Sequence, residues 1–413
     1  MSATNHPRCM NGDSRRPCLH GFVAKKVARI VLPKVDARVV LDDGRVMGGG
    51  GDDAPRIDLV DADAFFRRVG HEPKIGFGDA YIEGDWRPGE GTDLSVAMYP
   101  FARVIDHAVP MWVQRISAFA EQRVPRAMRN SLTGAKKNIE AHYDLSNDLF
   151  AQFLDPSLTY SSALFDDERP WEEQTLQEAQ ERKVDAALDR ARVGTGTRLL
   201  EIGTGWGTLA IRAAQRGATV TTVTLSVEQA ALASERAEAA GVADRIDIRI
   251  QDYREVEGEY DAVVSIEMIE AVGDEYWQTY FDAIDRLLAP GGVAVVQAIL
   301  MSHARYRVTR RSLSWIQKHI FPGGIIPSVK AIEKCTARTS LRITDRQHFG
   351  HHYAETLRRW RSTFLAHWDA IEALGFEPRF RRIWEFYLSY SEAGFATDYL
   401  DVAQFRFERE GAA

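Results

Sequence analysis

Cysteine is scarce in this chain and poorly placed for chemistry. Only Cys9, Cys18 and Cys335 occur among 413 residues, and their spacing suits neither a metal site nor a disulfide framework, which points to a reducing compartment. No apolar run approaches the ~20 residues that span a bilayer, and no apolar segment with a cleavage site opens the chain. The expected place of work is therefore the cytoplasm, with any lipid reached from the inner face of the membrane. An excess of positive charge is missing too: the formal net charge is −7, which argues against a dedicated nucleic-acid binder. Internal repeats are absent. What remains is an ordinary globular composition, 45% hydrophobic and 27% charged, long enough for two domains or one core with a sizeable appendage.

The charge is unevenly spread. Arg15, Arg16, Lys25, Lys26, Arg29, Lys34 and Arg38 face a single acid, Asp36. The first ~14 residues read as disordered, and a basic amphipathic stretch begins at Phe22. "ARVVLDDGRV" reads as a β-hairpin around Asp43-Gly44, and "IGFGDAYIEGDW" as a compact turn of glycines and aromatics. Helical periodicity runs from Leu94 to Val124, then a polar linker, "RVPRAMRNSLTGAKKN". These features predict a smaller N-terminal α+β domain over 1–125, a linker over 126–140, and a second domain over 141–413.

In that second domain strands and helices alternate. The pattern predicts strands Arg198–Ile202, Thr219–Thr224, Ile246–Gln251, Tyr260–Ser265 and Val293–Ile299. Helices are expected over Trp171–Arg192, Thr208–Gln215, Val227–Ala240 and Trp277–Leu288. This is the signature of an α/β fold with a doubly wound parallel sheet. A polar and aromatic insertion follows from Leu300 to about Arg338, then amphipathic helices near Tyr353–Leu374 and Phe380–Gly394, and a last strand, "VAQFRFER".

Three strand ends carry the chemistry. In "EIGTGWG" Glu201 ends a strand, and Gly203, Gly205 and Gly207 turn the chain into a helix, where backbone can approach a ligand and helix N–H groups point at it. The spacing G-x-G-x-G, rather than G-x-G-x-x-G, offers no ordinary pyrophosphate cradle, although a purely structural strand–helix turn would look the same. "VTLSVEQ" ends the second strand with Thr224, Ser226 and Gln229, and "QDYRE" ends the third with Asp252 and Tyr253. Ligands of open α/β sheets lie where such ends converge. Together the motifs resemble an S-adenosylmethionine-dependent methyltransferase of the seven-stranded, Rossmann-like class I type.

Longer motifs narrow the resemblance. "KNIEAHYDLSNDLFAQFLDPSLTYSSALF", "IEMIEAVGDEYWQTYF", "WIQKHIFPGGIIPS" and "HHYAETLRRW" are similar to those of the cyclopropane-fatty-acyl-phospholipid synthase and mycolic acid methyltransferase family. "SNDLFAQFLD", "SWIQK" and "HYAETLRRW" resemble the branch that converts oleoyl chains of phospholipid to 10-methylene-stearoyl, the precursor of tuberculostearic acid. An N-terminal domain of this length also belongs to that branch. The resemblance implies a C-methyltransferase acting on the acyl double bond, with cyclopropanation by the same cofactor on the same substrate as the alternative. A reductase partner would complete the methyl branch, and the oligomeric state stays open.

The resemblance also assigns residues. Tyr160 and Ser161 would touch the methionine end of the cofactor, Gly203, Gly205 and Gly207 would lie along it, Thr224 and Gln229 would meet the ribose, and Asp252 and Tyr253 the adenine. A bicarbonate ion would serve as general base, held by Ser162, Glu270, Gln297, Ile299 (by its backbone) and Tyr353. Three positions depart from the synthase pattern: Ser162 replaces cysteine, Gln297 replaces histidine, and Ala271 replaces a further histidine. Serine and glutamine can donate to an oxyanion but cannot carry a proton at neutral pH as histidine can. Trp315, Phe321 and Tyr353 offer aromatic faces for a carbocation.

Blander readings compete at several positions. Glu267 stands nearer the strand than Glu270 and is the weaker candidate base, suited to a cofactor contact. His142 is either packed or functional, and Trp360, Trp368 and Trp384 read as helix-packing residues. Phe22, Val23, Val27, Ile30 and Val31 interleave with the basic residues as in helices that meet anionic lipid, although charge runs are often only solvated faces. "IFPGGIIP" could line an acyl tunnel or form a dimer contact.

Overall fold

The computed structural model describes residues 19–108 and 146–409. The expected disordered start, the linker over 126–140 and His142 lie outside them. Strands β1 (Arg38–Val40), β2 (Val46–Met47), β3 (Arg56–Leu59) and β4 (Trp86–Pro88) form a small sheet in the order β2-β1-β3-β4. The expected hairpin is there, with Val39 opposite Met47, Val40 opposite Val46, and Gly44 turning at φ 81°. The expected turn over "IGFGDAYIEGDW" is instead a helix, Gly76–Glu83, closed by Gly84 at φ 85° and followed by β4. Its glycines look like turn residues, but they are demanded by packing. A Cβ on Gly78 would stand 2.5 Å from Trp315 Nε1 and 2.7 Å from a Phe386 ring carbon. Tertiary contact here overrides local propensity.

Seven further strands build the main sheet: β5 (Arg198–Ile202), β6 (Thr219–Thr224), β7 (Ile246–Ile250), β8 (Tyr260–Ile266), β9 (Leu288–Met301), β10 (Leu341–His348) and β11 (Leu400–Arg409). Their order is β10-β11-β9-β8-β5-β6-β7. Only β11 runs antiparallel to its neighbours. The doubly wound α/β reading therefore holds, and the sheet has the seven strands that the resemblance implied. β10 was not foreseen; it is an edge strand whose Arg342, Asp345 and Arg346 face solvent, so it lacks the apolar run that marks the central strands. The insertion also carries helices His303–Thr309, Trp315–His319 and Val329–Thr336.

One hydrophobic cluster joins the N-terminal elements to the helices Gly350–Ala366 and Pro378–Ala396. Trp86, Phe66, Trp360, Phe364, Trp384 and Phe386 are all buried in it. The tryptophans expected to pack between helices do so. A buried ion pair pins the same junction: Arg361 donates to Glu392 Oε2 at 3.0 and 3.1 Å and to both carboxylate oxygens of Asp93 at 2.8 and 3.0 Å. Ser95 completes the shell of Glu392 through Oγ at 2.7 Å. Asp79 of the helix Gly76–Glu83 holds Lys318 and His319 of the insertion at 2.6 and 2.8 Å.

Removing one partner of a buried, fully bonded pair leaves the other charge uncompensated. Arg361→Met should therefore lower unfolding stability by about 3–5 kcal/mol, read from urea titration, and adding Glu392→Gln should recover part of it. A loss within experimental scatter would mean that the junction does not depend on this pair.

Candidate functional site

The C-terminal ends of β5, β6, β7 and β8 open on one cavity of about 160 Å³. Gly203, Gly205, Thr224, Gln229, Asp252 and Tyr253 line it, joined by Tyr160 and Ser161 from the loop after the helix Asn147–Phe153. Eight of the nine expected cofactor contacts thus share one wall system. Gly207 does not line the cavity. It ends the turn at φ 86°, and a Cβ there would stand 3.0 Å from Ala233 Cβ, so its smallness serves the helix behind. Gly205 differs: at φ 50° it lines the cavity, and no protein atom lies within 4 Å of where its Cβ would be. That open cradle fits close approach of a ligand to backbone.

The second strand end divides its work. Thr224 Oγ1 donates to Gln229 Oε1 at 3.1 Å, and both residues line the cavity. Ser226 instead caps the helix Val227–Ala239, its Oγ accepting from Gln229 N at 3.2 Å. At the third end, Asp252 is gripped by Arg254 through both oxygens, at 2.8 and 2.6 Å. Trp206 lines the cavity, packs on Phe150 and donates from Nε1 to Asn147 Oδ1 at 2.8 Å.

The loop bearing Tyr160, Ser161 and Ser162 is clamped from two sides. Gln180 Nε2 donates to the carbonyls of Thr159 and Ser161 at 3.2 and 2.8 Å. From the helix Gly350–Ala366, Thr356 Oγ1 accepts from Ala163 N at 3.1 Å and His352 Nδ1 accepts from Phe165 N at 3.0 Å. Tyr160 meets Tyr387 hydroxyl to hydroxyl at 2.9 Å.

The residues expected to hold an anion converge, but on glutamates. Ser162 N–H donates to Glu267 Oε1 at 2.9 Å, Gln297 Nε2 donates to the same oxygen at 2.7 Å, and Tyr353 OH donates to Glu267 Oε2 at 2.7 Å. Ser162 takes part through its backbone; its hydroxyl donates to the Ala163 carbonyl at 3.0 Å. Ile299 N–H donates to Glu270 Oε1 at 2.5 Å. Glu270 Oε2 is buried with no partner among the described residues. Glu267, the residue that the sequence ranked below Glu270, is the hub, and it lines the cavity while Glu270 does not.

Burial dominates the electrostatics. It pushes the Glu270 carboxyl up to about 8, helped by the charge of Glu267. Desolvation also raises Glu267, opposed by its three donors and by Lys183. Glu201 rises to about 8 through burial, although Thr222 Oγ1 donates to it at 2.6 Å. Sequence reasoning missed Lys183. It is fully buried, donates to Ser161 Oγ at 2.6 Å, and is lowered to about 8 by desolvation against the charges of Glu267, Asp155 and Glu201. A signal existed: Lys183 shares the buried stripe Ala179, Gln180, Val184, Ala187, Leu188 of the helix Leu176–Arg190, where a lysine is out of place. Glu201, Asp252 and Glu267 line the cavity together with Lys183 and Arg254.

Of the aromatic candidates, Tyr353 touches Glu267 directly and Phe321 lies against Tyr160 and Tyr387. Trp315 is buried against Gly78, Phe386 and His319, so its faces serve the core of the N-terminal junction.

Comparisons with known proteins agree with this geometry. A family model described as mycolic acid cyclopropane synthetase matches residues 130–405. Tuberculostearic acid methyltransferase UfaA1 of Mycobacterium tuberculosis is 46% identical over 398 residues, covering 94% of this chain and 91% of the relative. Cyclopropane-fatty-acyl-phospholipid synthase of Escherichia coli K12 is 32% identical over 359 residues, with 84% and 86% covered. The solved structure of mycolic acid cyclopropane synthase CmaA1 complexed with SAH and CTAB superposes with a TM-score of 0.61 at 31% identity, covering 66% of this chain and 98% of that one.

The raised Glu270 carboxyl has a thermodynamic consequence. The folded protein keeps the proton that the unfolded chain releases above pH 4.5, so stability falls as pH rises from 4.5 to about 8. Glu201 adds a second contribution over the same window. Glu270→Gln should flatten the decline by up to about 1.4 kcal/mol per pH unit, measured by urea unfolding at several pH values. An unchanged slope would mean that Glu270 is already ionised in the fold.

Proposed function

The chain belongs to the mycolic acid cyclopropane synthetase family, and from that premise we propose that it methylates the double bond of oleoyl chains in phospholipid, giving a 10-methylene-stearoyl product. Its near full-length similarity to the tuberculostearic acid methyltransferase carries this reading. CmaA1, matched along almost its whole length, leaves about a third of this chain uncovered, which supports the phospholipid branch over the mycolate one.

S-adenosylmethionine, when bound, supplies an electrophilic methyl to which an otherwise unreactive alkene can add. The residues of the cavity fit it. Gly205 would admit it close to backbone with Gly203 beside it, Thr224 and Gln229 would take its ribose, Asp252 and Tyr253 its adenine, and Tyr160 and Ser161 its methionine end. Trp206, Ile202, Val223 and Met268 line the same cavity and would keep water from the reacting carbons. Phe321 and Tyr353 offer ring faces to the carbocation left on the neighbouring carbon.

The bicarbonate ion does not fit this donor set. The Ser162 N–H, Gln297 and Tyr353 serve Glu267, the Ile299 N–H serves Glu270, and the Ser162 hydroxyl serves the Ala163 carbonyl, so no step is assigned to it. Reduction of the methylene falls to a separate flavin- or nicotinamide-dependent partner.

Lipid reaches the protein at the inner face of the membrane, through the helix Leu19–Val31. Leu19, Phe22, Val23 and Ile30 are exposed beside Lys26 and Arg29, a mixture that inserts apolar groups while attracting anionic headgroups. Lys25 is turned away from that face and paired with Asp63. Among the described residues no helix is long and apolar enough to cross a membrane.

Two tests follow. Protein incubated with S-adenosylmethionine and dioleoyl phospholipid vesicles should yield fatty acids with vinylidene protons in the proton NMR spectrum. Cyclopropane protons would replace this reading with the alternative, and a saturated 10-methyl product would remove the need for a reductase. Separately, Phe22→Ser with Val23→Ser should reduce co-sedimentation with anionic vesicles several-fold, and unchanged sedimentation would move the docking surface elsewhere.

A further inference from the structure

The Glu267 carboxylate occupies the centre of the donor set, and we infer that it is itself the general base of the reaction, a side chain doing what a bound anion would otherwise do. This rests on the reading of the chain as an alkene methyltransferase. Three donors from three separate parts of the fold meet on Glu267: the loop at Ser162, strand β9 at Gln297, and the helix Gly350–Ala366 at Tyr353. The fourth, Ile299 N–H, goes to Glu270. A further anion would find no uncommitted donor among these and would sit beside a buried carboxylate, at a large cost in repulsion and desolvation.

The backbone tells the same story. Glu267 sits at φ 52°, a left-handed conformation rare for a residue with a side chain. Its N–H is tied to the Gln297 carbonyl at 2.8 Å. Strain of this kind collects where a functional group must be aimed. Gln297 is oriented in turn, since Gln404 Nε2 donates to its Oε1 at 3.1 Å and leaves its own Nε2 for Glu267. An amide there donates permanently and cannot take up a proton, so the basic atom of the cluster is a carboxylate oxygen.

The step balances without another reactant. After the carbon–methyl bond has formed and the hydride has shifted, the positive charge lies on the carbon that carries the new methyl. A methyl C–H bond breaks, its electron pair becomes the exocyclic double bond, and the proton passes to Glu267. The carboxyl releases that proton to water once product has left.

The experiment uses the whole protein with bicarbonate withdrawn and restored. Turnover of the unmodified protein on dioleoyl vesicles should stay within twofold in carbon dioxide-free buffer, and ¹³C-bicarbonate should show no bound signal by NMR. Glu267→Gln should lose about 10²-fold or more in kcat while S-adenosylmethionine affinity, measured by calorimetry, changes little. Glu267→Gly, which vacates the donors, should acquire bound ¹³C-bicarbonate. The inference is overturned if the unmodified protein binds the ion or depends on it, or if Glu267→Gln turns over within threefold of normal. Complete absence of methylated lipid from the unmodified protein would instead reject the proposed function and with it the role of Glu267 as base, whatever the labelled-ion measurement shows.

Discussion

A carboxylate withdrawn from water must be met by donors, and in this molecule the donors for Glu267 come from distant parts of the chain. Ser162, Gln297 and Tyr353 stand 105, 30 and 86 positions from Glu267 and belong to a loop, a central strand and a C-terminal helix. Each of those elements needs its own support. Gln180, Thr356 and His352 clamp the loop, Gln404 holds Gln297 from β11, and the helix bearing Tyr353 packs its Trp360 and Phe364 into the cluster shared with the N-terminal elements. Satisfying one buried charge thus constrains most of the fold around the cavity.

The same helix carries Arg361, two turns beyond Tyr353. Its ion pair with Glu392 and Asp93 ties the helix to Pro378–Ala396 and to the residue that precedes the helix Leu94–Ala108. The N-terminal part, which presents an apolar and basic helix to its surroundings, is therefore mechanically continuous with the wall of the candidate site.

Much of this was legible beforehand. Buried parallel strands show as short apolar or β-branched runs close to glycine, so Arg198–Ile202 and Thr219–Thr224 could be delimited to the residue. The strand-end motifs located the cavity because doubly wound sheets open at those ends. Other features escaped. β10 has solvent-facing charges at a sheet edge, and the helix Gly76–Glu83 contains two glycines that only the proximity of Arg68, Trp315 and Phe386 explains. Lys183 falls on the apolar stripe of its helix, but only the structure shows that the stripe closes over it.

Pattern along the chain thus determined six strands of the sheet, the glycine turn, the family resemblance and the short segment that carries Glu267 and Glu270. Periodicity and motif spacing are local properties, and they survive in a linear string. Which glutamate of "IEMIEAVG" faces the cavity was decided by the tertiary structure. The left-handed turn at Glu267 and three donors from elsewhere set that direction, and neither can be read from neighbours in sequence. Charge state followed the same division: residue type supplied the acids and the lysine, but only their desolvation against one another in the closed core moved Glu201, Glu270 and Lys183 toward neutrality.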